Sequence, residues 1–186
     1  FSNTYFTYVG NNRVIRDTMI TKIPVTDTSE IYEYTYDGSG KMTQHIRSKK
    51  ESGTLEFTDI ETFTYNGAGL CDKASRYFYA HGNWTLQREL SITYNTAGKE
   101  IERIEKLFPA NENHEKTIHT YDASNNDILE LRYSWNNNAW EHMSTDTNLF
   151  TGSLRTESRK YQKKNGNWVY DERERCAEGN APTSVK

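Results

Sequence analysis

His114, Glu115 and His119 are residue types that a zinc hydrolase uses for its chemistry. In such an enzyme the two histidines lie four positions apart on one helical face, and a glutamate follows the first. Here the second histidine comes five positions after the first, and the segment has the pattern of a strand. We therefore predict no metal at these residues. We expect His119 to pack among aromatic side chains of a sheet.

A second segment with possible chemistry runs from Asp122 to Asp127, where the letters D-A-S-N-N-D resemble the start of a calcium-binding loop. A calcium loop of the EF-hand type also needs glycine at its sixth position and glutamate at its twelfth. This chain has Asp127 and Tyr133 at those two positions. The same letters fit a hairpin turn without an ion, so we predict neither a metal nor a cofactor here.

The cysteines and carboxylates give no recognisable catalytic set. Cys71 is followed by Asp72, and a neighbouring negative charge raises a thiol pKa and makes the thiol less nucleophilic. Cys71 and Cys176 are too few for a disulfide scaffold, and we expect both to be free thiols.

Every glycine cluster precedes a strand, whereas a phosphate-binding glycine loop needs to precede a helix. We predict no catalytic residue and no enzyme. The alternative is a glycan-active hydrolase with carboxylates in a groove or barrel; Glu33, Glu61 and Glu102 are explained more simply as solvated strand residues.

Three tryptophans stand out by their position: Trp84, Trp140 and Trp168 each follow directly on a turn rich in Asn and Gly. If equivalent positions lie two strands apart, Trp140 and Trp168 are about 9–10 Å apart, since strands are spaced by about 4.8 Å. Exposed rings at that distance could stack on alternate units of a polysaccharide. The other interpretation is that each ring covers the end of a thin core and donates its indole N–H to a turn carbonyl. Both interpretations remain open.

Tyrosines recur at a nearly constant interval, and each leads into a segment typical of a tight turn. The five copies begin at Tyr8, Tyr36, Tyr65, Tyr94 and Tyr121, at spacings of 28, 29, 29 and 27 residues. Asp or Asn can hydrogen-bond the backbone two residues on, and Gly tolerates the left-handed conformation that closes such a turn. The predicted structural turn residues are Tyr36, Asp37, Gly40, Tyr65, Asn66, Gly69, Tyr94, Asn95, Gly98, Tyr121 and Asp122.

Residues before each turn alternate with a period of two, which is typical of strands. A second turn falls midway through each unit, so each unit holds two strands. We predict an all-β antiparallel meander of about thirteen strands from six tandem hairpin repeats, forming a long curled sheet, with a closed barrel as the alternative. One face should be aromatic and aliphatic and the other Thr-rich. The single domain should span residues 1–176, and residues 177–186 should be a disordered tail.

Composition limits the classes of partner. Aromatic residues make up 13% of the chain although the apolar fraction is only 34%, so we expect a folded protein with a thin core. The net charge of −3 is spread without a basic stripe, which argues against nucleic acid. No apolar run approaches the roughly 20 residues that span a membrane. The chain begins at Phe1 rather than Met, which suggests a removed export signal and a secreted, periplasmic or cell-surface location.

The Tyr-Asp-x-x-Gly segments resemble the tyrosine–aspartate (YD) repeats of Rhs proteins, teneurins and insecticidal-toxin shells. The elements Y-x-Y-[DN]-x-x-G and N-G-x-W, spread over Tyr5 to Glu174, resemble uncharacterised secreted β-repeat proteins of gut Bacteroidetes, a domain of unknown function. The resemblance implies an architecture of stacked hairpins and no particular chemistry. We therefore expect a non-catalytic extracellular binding or scaffold protein whose partner is an unknown glycan or protein, contacted through the sheet face or the turn edge.

Overall fold

A computed structural model describes residues 2–9, 13–23, 26–51, 54–175 and 183–185 of the 186-residue chain. The chain divides into two compact units, Phe1–Glu89 and Leu90–Lys186, and each is described by itself. A single domain over residues 1–176 stays a prediction.

Every regular element in the described residues is a strand. The first unit contains β1 (Ser2–Val9), β2 (Arg13–Ile23), β3 (Thr26–Tyr36), β4 (Met42–Glu51), β5 (Thr54–Tyr65) and β6 (Cys71–Ala80). Strand β7 (Asn83–Tyr94) runs from the first unit into the second. The second unit contains β8 (Glu100–Leu107), β9 (Glu112–Tyr121), β10 (Asp127–Asn136), β11 (Ala139–Thr151), β12 (Leu154–Lys164), β13 (Asn167–Arg175) and β14 (Thr183–Val185).

The strand order in the sheet follows the order in the chain, from β1 to β14. The predicted all-β antiparallel meander is therefore confirmed, and the order is open at both ends, not closed as the alternative barrel requires. The count is fourteen because Thr183–Val185 pairs with Arg173–Arg175. These three residues lie inside the segment expected to be a tail, whose other residues are outside the described part. No helix in the described residues has the length and apolar character to cross a membrane.

The turn after Tyr36 shows why the tyrosine segments have their sequence. The Asp37 carboxylate accepts hydrogen bonds from the backbone N–H groups of Ser39 and Lys41, each at 2.9 Å. The Gly40 N–H donates to the Asp37 carbonyl at 3.0 Å, and the Asp37 N–H donates to the Lys41 carbonyl at 2.8 Å. Gly40 has a φ of 87°, which a residue without Cβ adopts at low cost.

The same four hydrogen bonds, two accepted by a side chain and two between backbone groups, recur in three further turns. Asn66, Asn95 and Asp122 each accept from the N–H groups two and four residues later, at 2.8–3.0 Å. Gly69, Gly98 and Asn125 close these turns with φ of 79°, 75° and 62°. Asn125 replaces glycine at the fourth turn because Asn tolerates the left-handed region better than other residues with a side chain.

Tyrosines connect one repeat to the preceding one. The Tyr65 hydroxyl donates a 2.6 Å hydrogen bond to the carbonyl of Met42, the first residue after the preceding turn. Tyr121 does the same to Glu100 at 2.8 Å, and Glu100 holds the equivalent place. Each of these tyrosines thus forms a hydrogen bond between its own strand and the first strand residue after the turn of the preceding repeat.

The second type of turn is shorter. His81 and Gly82 both have positive φ, as do Asn137 with Asn138 and Asn165 with Gly166. Two successive positive φ values define a type I′ turn, which matches the twist of the two strands it joins. The residue two positions after each of these turns is Trp84, Trp140 or Trp168.

The two faces of the sheet differ from the expected division into an aromatic face and a Thr-rich face. In the second unit Thr120 pairs with Leu129 and Ile118 pairs with Leu131, so threonine and aliphatic residues share one face. His119 pairs with Glu130 on the opposite face, which is charged. The expected division is therefore wrong for these two strands of the second unit. Bulges between Asp127 and Leu129 and between Arg132 and Tyr133 shift the alternation that the sequence alone suggested.

The core is thin. Among residues whose burial is described, Ile31 is the buried hydrophobic residue, whereas the other buried side chains are polar: Ser48, Asp59, Ser75 and Ser144. The aromatic rings whose burial is described are half-buried or exposed, so contact between rings replaces burial in a closed interior.

Candidate functional site

The hairpin of β10 and β11 brings four aromatic rings to one face of the second unit. Because its turn has two residues, positions at equal distance from the turn lie opposite one another. Trp135 therefore pairs with Trp140, and Tyr133 pairs with His142. A bulge at Met143 follows directly, and it shifts the alternation along the rest of β11.

Ring contacts join Tyr133 and His142 to Trp168 on β13, and they join Trp135 to Trp140. The ring centroids of Trp135 and Trp140 are 4.9 Å apart, and those of Tyr133 and His142 are also 4.9 Å apart. His142 in turn contacts Trp168 edge-on at 4.6 Å. We call Tyr133, Trp135, Trp140, His142 and Trp168 the aromatic ladder.

Hydrogen bonds fix the orientation of the central ring of this group. His142 Nε2 lies 3.0 Å from the backbone carbonyl oxygen of Ser144, which can only accept, so Nε2 carries the proton and donates. Thr145 Oγ1 lies 3.0 Å from the same nitrogen. The ring of His142 is thereby held between Tyr133 and Trp168.

The aromatic ladder also holds a lysine. Lys116 on β9 pairs with Tyr133, and its Nζ lies 4.7 Å from the Tyr133 ring centroid and 4.9 Å from that of Trp140. Both distances are within the range of a cation–π interaction. A second lysine nearby, Lys163 on β12, forms an ion pair with Glu141 on β11 at 2.7 Å.

The aromatic ladder is open to solvent at its β13 end. Trp168 is 47% exposed and Tyr170 is 46% exposed. Trp140 and Trp135 are half-buried. Flat rings with solvent on one side can stack against the apolar faces of sugars or of another protein, and the surrounding Lys, Glu and Asn side chains can hydrogen-bond. The arrangement is suited to binding a ligand.

Trp84 belongs to a separate group in the first unit. Its ring centroid lies 4.8 Å from that of Tyr79 and 5.9 Å from that of Phe57. Trp84 is 37% exposed and Phe57 is 41% exposed. Of the three predicted contact residues, Trp140 and Trp168 lie in the aromatic ladder, where Trp140 contacts Trp135 and Trp168 contacts His142. Trp84 lies in another group of rings.

A cleft lies on the charged face of the second unit. It is lined by Glu130, Asp146, Asn148, Arg155, Ser158, Lys160 and Glu174. Burial raises the pKa of the Asp146 carboxyl, and the nearby Glu130 raises it further, whereas Lys160 opposes the shift. One oxygen of Asp146 is buried without a hydrogen-bond partner.

The histidines of the zinc-like segment have separate surroundings. His114 is exposed. His119 Nδ1 lies 2.7 Å from Asp127 Oδ2, and its ring stacks on Tyr121 at 6.3 Å. His119 therefore does contact an aromatic ring, as expected, but its closest polar partner is a carboxylate. Within the described ranges, no group of three or more His, Cys, Asp or Glu side chains is arranged to hold a metal ion.

The remaining predicted residues lie where the repeat puts them. The Asp122 segment is the fourth tyrosine turn. Glu33 and Glu61 lie on β3 and β5 of the first unit, and Glu102 lies on β8 of the second. Cys71 is half-buried, and burial, together with Asp72, raises the pKa of its thiol. Cys176 lies outside the described residues.

Sequence reasoning missed Tyr133, Trp135, His142 and Lys116. The signal was present for the first three, because W-N-N-N-A-W is symmetric about Asn137–Asn138 and a two-residue turn pairs its flanks. Lys116 gave no local signal, since its contact depends on the register between β9 and β10.

No protein-family model matches the chain, and no curated protein matches it. Among solved structures, the chain is similar to a DUF3836 family protein from Parabacteroides distasonis, with 16% identity and a TM-score of 0.39 over 45% of this chain and 77% of that one. It is similar to a protein of unknown function from Bacteroides fragilis, with 12% identity and a TM-score of 0.37 over 79% and 91% of the two chains. A third similar structure is a porin-like protein from Bacteroides uniformis, with 12% identity and a TM-score of 0.30 over 85% and 92%. As expected, the solved structures to which the chain is similar include uncharacterised proteins from Bacteroidetes.

Proposed function

We propose that this protein is a non-catalytic binding protein that holds a polysaccharide against the aromatic ladder of its second unit. The observation that carries the proposal is the aromatic ladder itself, in which Trp135 contacts Trp140 at 4.9 Å and His142 contacts Tyr133 and Trp168 at 4.9 and 4.6 Å. Lys116 Nζ lies over a ring of each of these two groups, and Trp168 is 47% exposed. Several accessible rings on one face suit a ligand that has several sugar units.

The rigidity of the supporting strands favours binding over simple packing. The rings lie on paired strands, and hydrogen bonds to Ser144 and Thr145 hold His142 in place. A ligand therefore meets side chains that already have their bound orientation, which lowers the entropy lost on association. The exposure of Trp168 also argues against a role only as a cover for the core, since a covering ring is mostly buried.

We further propose that the protein acts outside the cytoplasm, where a polysaccharide partner is met, and that its hairpins are YD-like units used as a scaffold. The four turns built on Asp37, Asn66, Asn95 and Asp122 support the second point, because they share one hydrogen-bond pattern. Cell fractionation of the native host with an antibody against the protein tests the location.

Titration with a panel of soluble plant and host polysaccharides, followed by calorimetry, tests the binding proposal. We expect at least one to bind the wild-type protein, and Trp168→Ala to lose that binding while staying folded. Because Trp168 is 47% exposed, the substitution should cost less than the roughly 3–5 kcal/mol of a buried aromatic residue. Trp84→Ala, which alters the ring group of the first unit, is the matched control and should still bind. No binding by any polysaccharide would contradict the proposal.

A hydrolase on the charged face is the second candidate. A glycoside hydrolase needs one carboxylic acid of raised pKa and one carboxylate near the scissile bond. Asp146 has a raised pKa, and Glu130 and Glu174 line the same cleft. We rank this candidate second because the aromatic ladder lies on the opposite face and cannot hold a sugar over the cleft. If the protein releases reducing ends from a polysaccharide and Asp146→Asn abolishes that release, the hydrolase becomes the first candidate.

A further inference from the structure

Lys116 differs in its surroundings from the other lysines near the aromatic ladder. Lys163 is paired with Glu141 at 2.7 Å, and Lys164 is paired with Asp171 at 3.2 Å. Lys116 Nζ lies instead between the rings of Tyr133 and Trp140. In the part of the chain that the structure describes, no ion pair compensates the charge of Lys116.

Two rings hold this ammonium group in place but accept none of its hydrogen bonds in the way an oxygen atom would. A ring face attracts a cation through its quadrupole, yet it offers none of the oxygen acceptors that three N–H donors can use. Lys41 in the first unit lies 5.2 Å from the centroid of one ring, that of Tyr65. Lys116 is held by two rings at once, both belonging to the aromatic ladder.

From this geometry we infer that the ligand of the aromatic ladder is an acidic polysaccharide, whose carboxylate or sulfate groups pair with Lys116 while its sugar rings stack on the neighbouring aromatic rings. The inference rests on the proposed function and adds the chemical class of the ligand. An anionic oxygen supplies the acceptor that Lys116 lacks, and charge-assisted hydrogen bonds are the stronger kind. A neutral polysaccharide would stack on the same rings and leave the ammonium group without a partner.

The test compares matched polymers that differ only in charge. Affinities of the wild-type protein are measured by calorimetry for polygalacturonate against its methyl ester and for dextran sulfate against dextran. The two pairs distinguish a carboxylate from a sulfate ligand. We expect at least one acidic polymer to bind about tenfold more tightly than its neutral partner, as one additional charge-assisted contact would give. The preference should shrink as salt is raised, because screening weakens exposed charge pairs.

Lys116→Met keeps an unbranched apolar side chain against the two rings and removes the charge. We expect this variant to keep the affinity for the neutral polymer and to lose the preference for the acidic one. Lys41→Met, which alters the single-ring contact of the first unit, should keep the preference. Polyglutamate is included to detect attraction to any polyanion.

The outcomes separate this inference from the proposed function. Equal binding of acidic and neutral polymers, or a preference that survives in Lys116→Met, overturns the inference and leaves polysaccharide binding intact. Polyglutamate that binds as tightly as polygalacturonate also overturns it. No binding to any polysaccharide overturns both proposals.

Discussion

Trp168 and His142 lie on strands two positions apart in the sheet, yet their ring centroids are only 4.6 Å apart. Strands spaced by about 4.8 Å put their backbones roughly 9–10 Å apart, so the two rings lean toward each other over β12. Both rings are therefore on the same face, and the aromatic contacts continue from β10 to β13. This continuity makes the surface a candidate for a long ligand.

The glycine that closes a tyrosine turn should be far less replaceable than its neighbour. Gly69 has a φ of 79°, where a β-branched residue costs about 1–3 kcal/mol. Gly67, two positions earlier, has ordinary φ, and a Cβ added to it would meet no atom within 4 Å. We expect Gly69→Val to lower the urea midpoint clearly and Gly67→Val to change it little. Equal midpoints would show that the turn does not constrain this unit. The sequence predicts that Gly53 would also tolerate valine better than Gly69 does, but Gly53 lies outside the described residues.

The tyrosine hydroxyl that connects successive repeats should contribute to stability. Tyr121→Phe removes the 2.8 Å hydrogen bond to the Glu100 carbonyl and keeps the ring. We expect a loss of about 0.5–1.5 kcal/mol in the free energy of unfolding, the usual contribution of one hydrogen bond. Tyr65→Phe should have a similar effect through Met42.

Tyr79→Phe is the control for these two variants, because Tyr79 contributes ring contacts with Phe57 and Trp84. Its stability should remain near that of the wild type. If all three variants unfold at the same denaturant concentration as the wild type, the hydroxyl contacts do not stabilise the stack of repeats.

Much of the architecture follows from local sequence, because each tyrosine turn is specified by its own residues. The turn at Asp37 is closed by the Asp37 side chain, which accepts hydrogen bonds from the turn backbone, and by the positive φ of Gly40. Neither contribution needs a residue from a distant part of the chain. The faces were harder to predict, since a bulge shifts every later residue to the other side and bulges depend on pairing between strands. His119 illustrates this: alternation correctly puts it on the same face as Tyr121, whose ring it contacts, but it does not show that Glu130 on β10 lies opposite it on that face.

The candidate site was predictable only in part for the same reason. Trp140 and Trp168 were found from their place after a turn, and they do lie on β11 and β13. Lys116 was not found, because its contacts join β9 to β10 and β11 and depend on the register of all three strands.

Two carboxylates should change stability with pH in opposite directions. The Glu157 carboxylate accepts hydrogen bonds from Arg173, at 2.7 Å, and from Arg159, and these contacts lower its pKa from 4.5 to about 2. A pKa lowered in the folded state stabilises above pH 4.5, and this contribution is lost as pH falls toward 2. We expect Glu157→Gln to be less stable than the wild type at pH 7 and equally stable near pH 2, by denaturant titration.

Asp146→Asn serves as the opposite case. Burial raises the pKa of Asp146 above 3.8, so its ionised form costs stability once the pH exceeds the raised value. This variant should be more stable than the wild type at pH 7, and the difference should disappear below pH 3.8. A loss of stability at pH 7 would show that Lys160 outweighs the cost of burial.

Cys71 should react slowly with thiol reagents in the folded protein. Burial raises its pKa, and the thiol donates to the Lys73 carbonyl at 3.6 Å, so little thiolate is present at neutral pH. In the denatured, unreduced protein we expect two free thiols per chain, one from Cys71 and one from Cys176. Detection of none would reveal a disulfide between them and contradict this expectation.

The indole N–H signals of the four tryptophans, followed by nuclear magnetic resonance during titration with a polysaccharide that binds, test the central claim most directly. Trp135, Trp140 and Trp168 belong to the aromatic ladder, whereas Trp84 contacts Tyr79 and Phe57 in the first unit. Single Trp→Phe variants assign each signal. We expect the signals of Trp168 and Trp140 to shift most, that of Trp135 to shift less and that of Trp84 to stay in place. A shift confined to Trp84, or no indole shift while binding is measured, would contradict the account.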